Sequence, residues 1–424
     1  VLLTSLEYAL MARVAVTDMT LTLAITLVML AAARYLEEGR ASQAALAGAA
    51  AGLALLTKGP VGALLPGVAL LVYALLARRT DLVRRHALAA ATAGALLTAG
   101  PWYLYMALRH RDLLVGTFLG QGNLGRFLQP EHPAFPLYYA VIFAFGLLPW
   151  SGALPAALYE ALRPAVWRDE RGVGRRPGPL YLVCWFAAAP LVFSLSASKL
   201  PSYILPSFPP AALLIAHYWS RALSFEEGVG RGRGARLAAL LGVLLATVTA
   251  AGLALFSRRP AWLEARAPLL AIGALLLAAS LAALAAAWHR RPAWLLVSQP
   301  VAAIGALLIL VTLVYPRAEP YVSVRPLALD LRRQGIEREV RGAYHVSDVG
   351  LDFYFGRDLP RVSDPAALRR LLAEAPPGGV WIVRSRDLAE LEADPDLAAR
   401  AVSRGPYRSA VRFGNATGAA GEGS

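Results

Sequence analysis

The chain has 424 residues, of which 57% are hydrophobic and only 17% are charged. Apolar runs of about 17 to 23 residues recur, which is the length that crosses a bilayer, so the composition indicates an integral membrane protein and excludes an ordinary soluble one. The formal net charge is +14, but the arginines cluster in short loops and no basic patch is interleaved with aromatic residues, which argues against nucleic-acid binding. The single cysteine, Cys184, excludes an internal disulfide.

In chain order, the apolar runs predict an all-α, polytopic membrane domain over residues 1–316. About ten spans are expected from their length and composition, at 19–36, 42–57, 61–77, 87–107, 136–158, 179–195, 200–219, 237–256, 267–288 and 294–315. Residues 1–18 are interpreted as the end of an earlier segment, because the chain opens on Val1 without a charged, signal-like start.

Arginines in the loops predict how these spans are oriented. Four loops carry most of them: Arg78, Arg79, Arg84 and Arg85; Arg163, Arg168, Arg171, Arg175 and Arg176; Arg221, Arg231, Arg233 and Arg236; Arg290 and Arg291. All four fall on the same side of the predicted membrane, and the positive-inside rule makes that side cytoplasmic. The outer side then carries Asp18, Lys58, the loop 108–135, the corner Ser196–Lys199 and the C-terminal tail.

The tail has a different composition from the membrane domain. Residues 317–414 predict a small α/β domain outside the membrane, with helical spacing in "LALDLRRQG" and "PAALRRLLAEA" and strand-like runs in "EVRGAYHV" and "GVWIVRS". Residues 415–424 are small and polar, which predicts a disordered end.

Two charged residues lie where outer ends of spans are expected. Asp18 opens the first span, as a helix cap or first-turn carboxylate, or as a carboxylate that faces a polar cavity. Lys58 stands before Gly59-Pro60, at a break between two apolar runs. Its ammonium either extends to the interface or binds a phosphate at headgroup depth.

More candidates follow in the outer loop and at the next outer corner. "GQGNLGRFLQPEH" carries Asn123, Arg126 and His132, and an arginine offers a fork of donors to phosphate oxygens. "SLSASKLPSYILPSFP" carries Lys199 and Tyr203, with prolines that break the helix where backbone can line a cavity. Together these groups suit a phosphate-bearing substrate whose leaving group needs charge stabilisation.

The motifs resemble those of a known family of membrane enzymes. "ARVAVTDMTLT", "LLTKGPVG", "NLGRFLQPEH", "LLPWS" and "SASKLPSYILPSFP", in this order, are similar to bacterial glycosyltransferase family 39. The resemblance is to its aminoarabinose transferase branch, which is related to the protein O-mannosyltransferases. It implies a C-type glycosyltransferase fold, in the bacterial inner membrane, with a periplasmic C-terminal domain. It also implies transfer of a sugar from a polyprenyl-phosphate donor to a lipid such as lipid A, a glycan or a protein.

The resemblance assigns roles to residues of this chain. It implies that Asp18 is a catalytic-cavity carboxylate and that Lys58 and Arg126 bind the donor phosphate. Lys199 and Tyr203, in the "SKLP-Y" motif, are expected to line the substrate cavity. Asn123 and His132 of the outer loop are placed there too.

Two departures from the family pattern bear on catalysis. The acidic loop that supplies the family's expected base would precede Val1. Relatives often read Glu-His-Asn where this chain has Gln121-Gly122-Asn123, so a metal site built on that Glu or His is not supported. A divalent metal stays open without support from the residues, and no cofactor is assigned.

Two other interpretations stay open. A transporter or lipid flippase also has many spans and broken helices, but it should show related halves and ionisable groups near mid-membrane. An inactive, truncated paralogue would lack the acidic loop.

Overall fold

The computed structural model of the protein is mostly helical and describes most of the chain. The described residues are 1–14, 16–129, 134–163, 177–223, 229–289, 291–346, 348, 350–374, 378–395, 397 and 399–414. The fold divides into two compact units, one of Val1–Gly252 with Ile272–Leu307, and one of Leu253–Ala271 with the chain from Leu308 onward. The predicted disordered end, 415–424, lies outside the described residues.

The first unit begins with an up-and-down series of helices. They are α1 (Leu6–Met11), α2 (Thr17–Glu38), α3 (Ala41–Lys58), α4 (Val61–Ala77) and α5 (Arg85–Arg109). The last four match the first four predicted spans closely. Gly39 ends α2 with φ 70°, a left-handed conformation that glycine adopts at little cost. Because short turns join α2 to α3 and α3 to α4, the start of α2 and the end of α3 lie at the same end of the unit.

Further helices complete the membrane part of the chain. They are Leu113–Gly125 (π-helical), Arg126–Leu128, Tyr138–Gly146, Ser151–Ala153 (3-10), Leu154–Ala161, Pro179–Ser194, Pro201–Ser207 (3-10), Phe208–Leu223, Val229–Phe256, Pro260–Ala265 (3-10), Arg266–His289 and Pro292–Ile309.

Several of these helices are long and apolar enough to cross a membrane. Within the described residues there are five: Thr17–Glu38, Arg85–Arg109, Arg233–Phe256, Trp262–His289 and Ala293–Val322. Val61–Ala77 and Pro179–Ser194 are shorter apolar helices. The chain is therefore a multi-pass membrane protein, as predicted, and the count of about ten spans stays a prediction.

Two predicted spans are not single α-helices. The run 136–158 is divided into Tyr138–Gly146, the 3-10 turn Ser151–Ala153 and Leu154–Ala161. Pro149 lies at the division and has no N–H to continue the helical hydrogen bonds. The run 200–219 begins with the 3-10 turn Pro201–Ser207 and becomes α-helical only at Phe208.

Small residues let α3 and α5 pack in close contact. A Cβ atom added at Gly48 would lie 1.8 Å from the carbonyl oxygen of Ala91, and one added at Gly94 would lie 2.1 Å from that of Ala45. Such backbone approach at small residues is typical of helix pairs in membranes, where dispersion contacts replace the hydrophobic effect. Packing of α3 against α5 fixes the position of α3 and therefore of Lys58, its last residue.

The second unit contains a five-stranded mixed sheet. The strands are β1 (Val340–Tyr344), β2 (Arg361–Val362), β3 (Val380–Arg384), β4 (Arg400–Ser403) and β5 (Arg408–Arg412), in the order β2-β1-β3-β5-β4. β1 pairs in parallel with β2 and β3, and β5 is antiparallel to β3 and β4.

Helices flank this sheet in sequence. They are Tyr315–Val322, Arg325–Arg333, Gly350–Phe355, Pro365–Glu374 and Leu388–Ala393. The two helices and two strands predicted in this region are confirmed. The antiparallel pair β4–β5 was missed, because its strands are short and begin or end in arginine, so their alternating pattern is weak.

Candidate functional site

The site is built around an ion pair between Asp18 and Lys58. Asp18 lies in the first turn of α2 and is buried, 7% exposed, while Lys58 is the last residue of α3. The Lys58 ammonium donates a hydrogen bond to Asp18 Oδ1. Asp18 is not the helix cap, since Val16 occupies that position. Its carboxylate is stabilised instead by the lysine and by its place near the positive end of the helix.

Tyr203 closes the other side of the lysine. The Lys58 ammonium lies 4.4 Å from the centroid of the Tyr203 ring, a cation–π contact. The ring of Phe193 packs on Tyr203 with the centroids 4.7 Å apart. Tyr203 belongs to the 3-10 turn Pro201–Ser207, so the break in the predicted span 200–219 is what aims this ring at the end of α3.

Hydrogen bonds hold the outer loop against the corner that precedes Tyr203. The Ala197 N–H donates to the Phe127 carbonyl at 2.9 Å, and the Ser198 hydroxyl donates to the Gln129 carbonyl at 2.8 Å. A longer bond, 3.4 Å, joins the Ser196 hydroxyl to the same Phe127 carbonyl. The backbone that follows Arg126 is thereby fixed beside the segment that carries Lys199 and Tyr203.

The predicted site residues differ in what the structure shows of them. Asp18, Lys58 and Tyr203 are brought together. Lys199 donates to the Ser196 carbonyl within its own turn, at 2.7 Å. The backbone of Asn123 and Arg126 is helical, but their side chains, like the whole of His132, lie outside the described part of the chain.

The arrangement is an anchored cation at a mostly buried position. The Lys58 side chain is 24% exposed and that of Asp18 is 10% exposed. Removing one partner of a buried ion pair leaves an uncompensated charge and costs about 3–5 kcal/mol at full burial. A cation held in place by a carboxylate and a ring can stabilise negative charge that develops on an incoming oxygen, because it needs little reorganisation.

Glu7, in α1, is a second carboxylate near the core, half-buried, which was not among the predicted site residues. Its Oε1 is buried without a hydrogen-bond partner among the described residues. Burial raises the pKa of the Glu7 carboxyl. The sequence does mark this residue, because Glu7 is the only charged residue in the run "TSLEYALM".

The chain is similar in sequence to known membrane glycosyltransferases. Residues 1–105 match the family described as dolichyl-phosphate-mannose-protein mannosyltransferase. The chain is 37% identical to the undecaprenyl phosphate-alpha-4-amino-4-deoxy-L-arabinose arabinosyl transferase of Erwinia tasmaniensis over 175 residues. This aligned segment covers 41% of this chain and 30% of that protein. The enzyme of the same name from Pseudomonas aeruginosa is 36% identical over 225 residues, which are 52% of this chain and 38% of that protein. These matches confirm the predicted resemblance, and the chain spans only 30% to 38% of the length of these curated relatives.

Solved structures match over nearly the whole chain. The crystal structure of ArnT from Cupriavidus metallidurans bound to undecaprenyl phosphate superposes with a TM-score of 0.70 at 22% identity, covering 97% of this chain and 77% of that one. The apo form gives a TM-score of 0.67 at the same identity. The predicted fold, an all-α polytopic membrane protein of the C-type glycosyltransferase kind with a small C-terminal α/β part, is confirmed.

Proposed function

We propose that the protein is a glycosyltransferase that takes a sugar from a polyprenyl-phosphate donor and transfers it to a lipid, glycan or protein acceptor. The observation that carries the proposal is the convergence of Asp18, Lys58 and Tyr203, from three separate segments, at one end of the helices. The names of the curated relatives support an undecaprenyl-phosphate donor that carries 4-amino-4-deoxy-L-arabinose.

In the proposed reaction an acceptor oxygen attacks the anomeric carbon of the donor sugar. A new carbon–oxygen bond forms while the bond from that carbon to the phosphate oxygen breaks, and the electron pair leaves with the polyprenyl phosphate. Lys58 stabilises the negative charge that collects on the leaving phosphate. Asp18 holds Lys58 through Oδ1 and offers Oδ2 to the acceptor, to orient it or to accept its proton.

The remaining candidates complete the proposed cavity. Arg126 supplies a second cation for the donor phosphate, a role supported by the hydrogen bonds that fix the backbone after it beside the Ser196–Lys199 corner. Lys199, Asn123 and His132 are the further residues proposed to contact the substrate; the Asn123 side chain and His132 lie outside the described part of the chain. We propose that this cavity lies on the outer face of the bacterial inner membrane and that the C-terminal domain is periplasmic. The arginine-rich loop between α4 and α5, at the opposite end of these helices, supports this orientation.

Substitutions at Lys58 test the proposal in the full-length protein. Charge-assisted contacts contribute about 1.5–3 kcal/mol each, so Lys58→Ala should lower turnover of a polyprenyl-phosphate sugar in proteoliposomes about tenfold to a hundredfold. Lys58→Arg keeps the charge in a different geometry and should retain part of the activity. Arg258→Ala, at an exposed arginine outside the proposed cavity, is the control and should leave turnover unchanged. A normal rate with Lys58→Ala would refute the assignment.

A further inference from the structure

A polar cavity lies at the end of α2 opposite to the candidate site. Its volume is about 420 Å³, and its lining includes Tyr35, Glu37, Glu38, Arg78 and Arg84. The cavity is bounded by the turn after α2 and by the arginine-rich loop between α4 and α5. It therefore lies on the side that the positive-inside rule makes cytoplasmic.

The wall of this cavity is held by hydrogen bonds. The Arg79 guanidinium donates to the Leu36 carbonyl at 3.0 Å and to the Asp81 carboxylate at 2.8 Å. The Tyr35 hydroxyl donates to the Asp81 carbonyl at 3.1 Å. Arg79 and Asp81 neutralise each other in this way, so the charge of the chamber is set by the other residues that line it.

An apolar crevice of about 290 Å³ adjoins the polar chamber. Tyr35 lines both, and the crevice continues between the helices along side chains such as Ala47, Leu70 and Leu82. Gly67 also lines it, and a Cβ atom at Gly67 would meet nothing within 4 Å. A polar chamber and an apolar crevice that share the Tyr35 side chain as a wall suit a ligand with a charged headgroup and a hydrocarbon chain.

Charges of both signs line the chamber. Arg78 and Arg84 form no ion pair within 4 Å among the described residues. The same chamber is lined by Glu37 and Glu38, at the end of α2, and Glu38 also contacts Arg40 at 3.3 Å. All four of these charged side chains that line the chamber are exposed. A ligand with phosphate alone would meet two carboxylates that it cannot compensate. A ligand with a phosphate and an ammonium group can bind both the two arginines and the two glutamates, because the ammonium donates N–H hydrogen bonds to the carboxylates. A quaternary amine has no such hydrogen to donate.

We propose that this site binds a zwitterionic phospholipid of the cytoplasmic leaflet, with an ethanolamine-type headgroup. Its phosphate lies against Arg78 and Arg84, its ammonium against Glu37 and Glu38, and one acyl chain enters the crevice beside Gly67. The site is separate from the proposed glycosyl transfer and does not depend on it.

Native mass spectrometry of the full-length protein in detergent tests the proposal. Phosphatidylethanolamine, phosphatidylglycerol and phosphatidylcholine with identical acyl chains are added to delipidated protein. Retention should be highest for phosphatidylethanolamine, and Arg78→Gln with Arg84→Gln should lower it about tenfold, as loss of charge-assisted contacts predicts. Arg85→Gln is the matched control, since Arg85 adjoins the same loop and does not line the cavity.

Two further measurements keep the result interpretable. Gly67→Leu fills the crevice without touching a charge, and it should lower retention of all three lipids while the fold is kept. Free phosphoethanolamine in excess should not displace the lipid, because it lacks the acyl chain. A preference for phosphatidylglycerol, displacement by the free headgroup, or unchanged retention in both the double-arginine variant and Gly67→Leu would overturn the proposal.

Discussion

The side chains of Lys58 and Asp18 form one interacting unit. The ammonium donates to the carboxylate on one side and contacts the Tyr203 ring on the other. A charged side chain within a membrane is energetically unfavourable by itself. The carboxylate on one helix and the lysine on another therefore stabilise each other.

A double-mutant cycle measures this coupling. We expect Asp18→Asn to abolish transfer, because asparagine keeps the size and loses the charge. The unfolding free energies of Asp18→Asn, Lys58→Ala and the double variant should be non-additive by about 0.5–3 kcal/mol, as for groups in contact. Thermal unfolding in detergent gives the stabilities, and proteoliposome assays give the rates. Additive stabilities, or full activity in Asp18→Asn, would show that the pair is not a unit.

Glu7 makes stability depend on pH in a direction that its burial determines. Burial raises its pKa in the folded protein, so the folded state binds more protons than the unfolded state between the ordinary pKa and the raised one. Stability should therefore be greatest below the ordinary pKa and fall as pH rises through the raised one. Unfolding midpoints of wild type and Glu7→Gln, measured from about pH 4 to about pH 8, should show a flatter dependence for glutamine. Parallel curves would contradict the assignment.

At the scale of elements, the contact between α3 and α5 depends on glycine. Gly48→Ala places a methyl group 1.8 Å from the Ala91 carbonyl oxygen unless the helices separate. Overpacking costs typically about 1–3 kcal/mol, so the unfolding midpoint should drop clearly and activity should fall with it, since α3 positions Lys58. Gly67→Ala is the control: its Cβ meets open space, and alanine in a helix should be neutral or slightly stabilising. Equal midpoints for the two variants would argue against close packing here.

The predicted orientation of the chain in the membrane determines which face of the membrane carries the proposed cavity. Arg84 should be cytoplasmic and residue 350 periplasmic. Fusions of alkaline phosphatase and of green fluorescent protein at these two points should give opposite signals, since the phosphatase is active outside and the fluorescent protein folds inside. A cytoplasmic signal at residue 350 would contradict the proposed orientation, and with it the outer-face placement of the site.

Length and hydrophobic pattern determined the membrane class, most helix positions and which charged residues share an end. Asp18 and Lys58 lie at the same end because the two adjacent spans have similar lengths and are joined by a short turn. The lengths of the apolar runs are enough to predict this. The sequence also indicated the strand Val380–Arg384, whose first four residues are a continuous apolar run, and the strand Val340–Tyr344, whose run is interrupted by Arg341.

Tertiary structure alone decided the contacts between segments far apart in the chain. The Tyr203 ring reaches Lys58 because prolines delay the helix until Phe208, and no local pattern states which side chain a broken helix will meet. The hydrogen bonds from residues 197 and 198 to residues 127 and 129 likewise depend on how the loops meet in space. The apolar crevice beside Gly67 exists only between packed helices, since a cavity is a property of surfaces brought together.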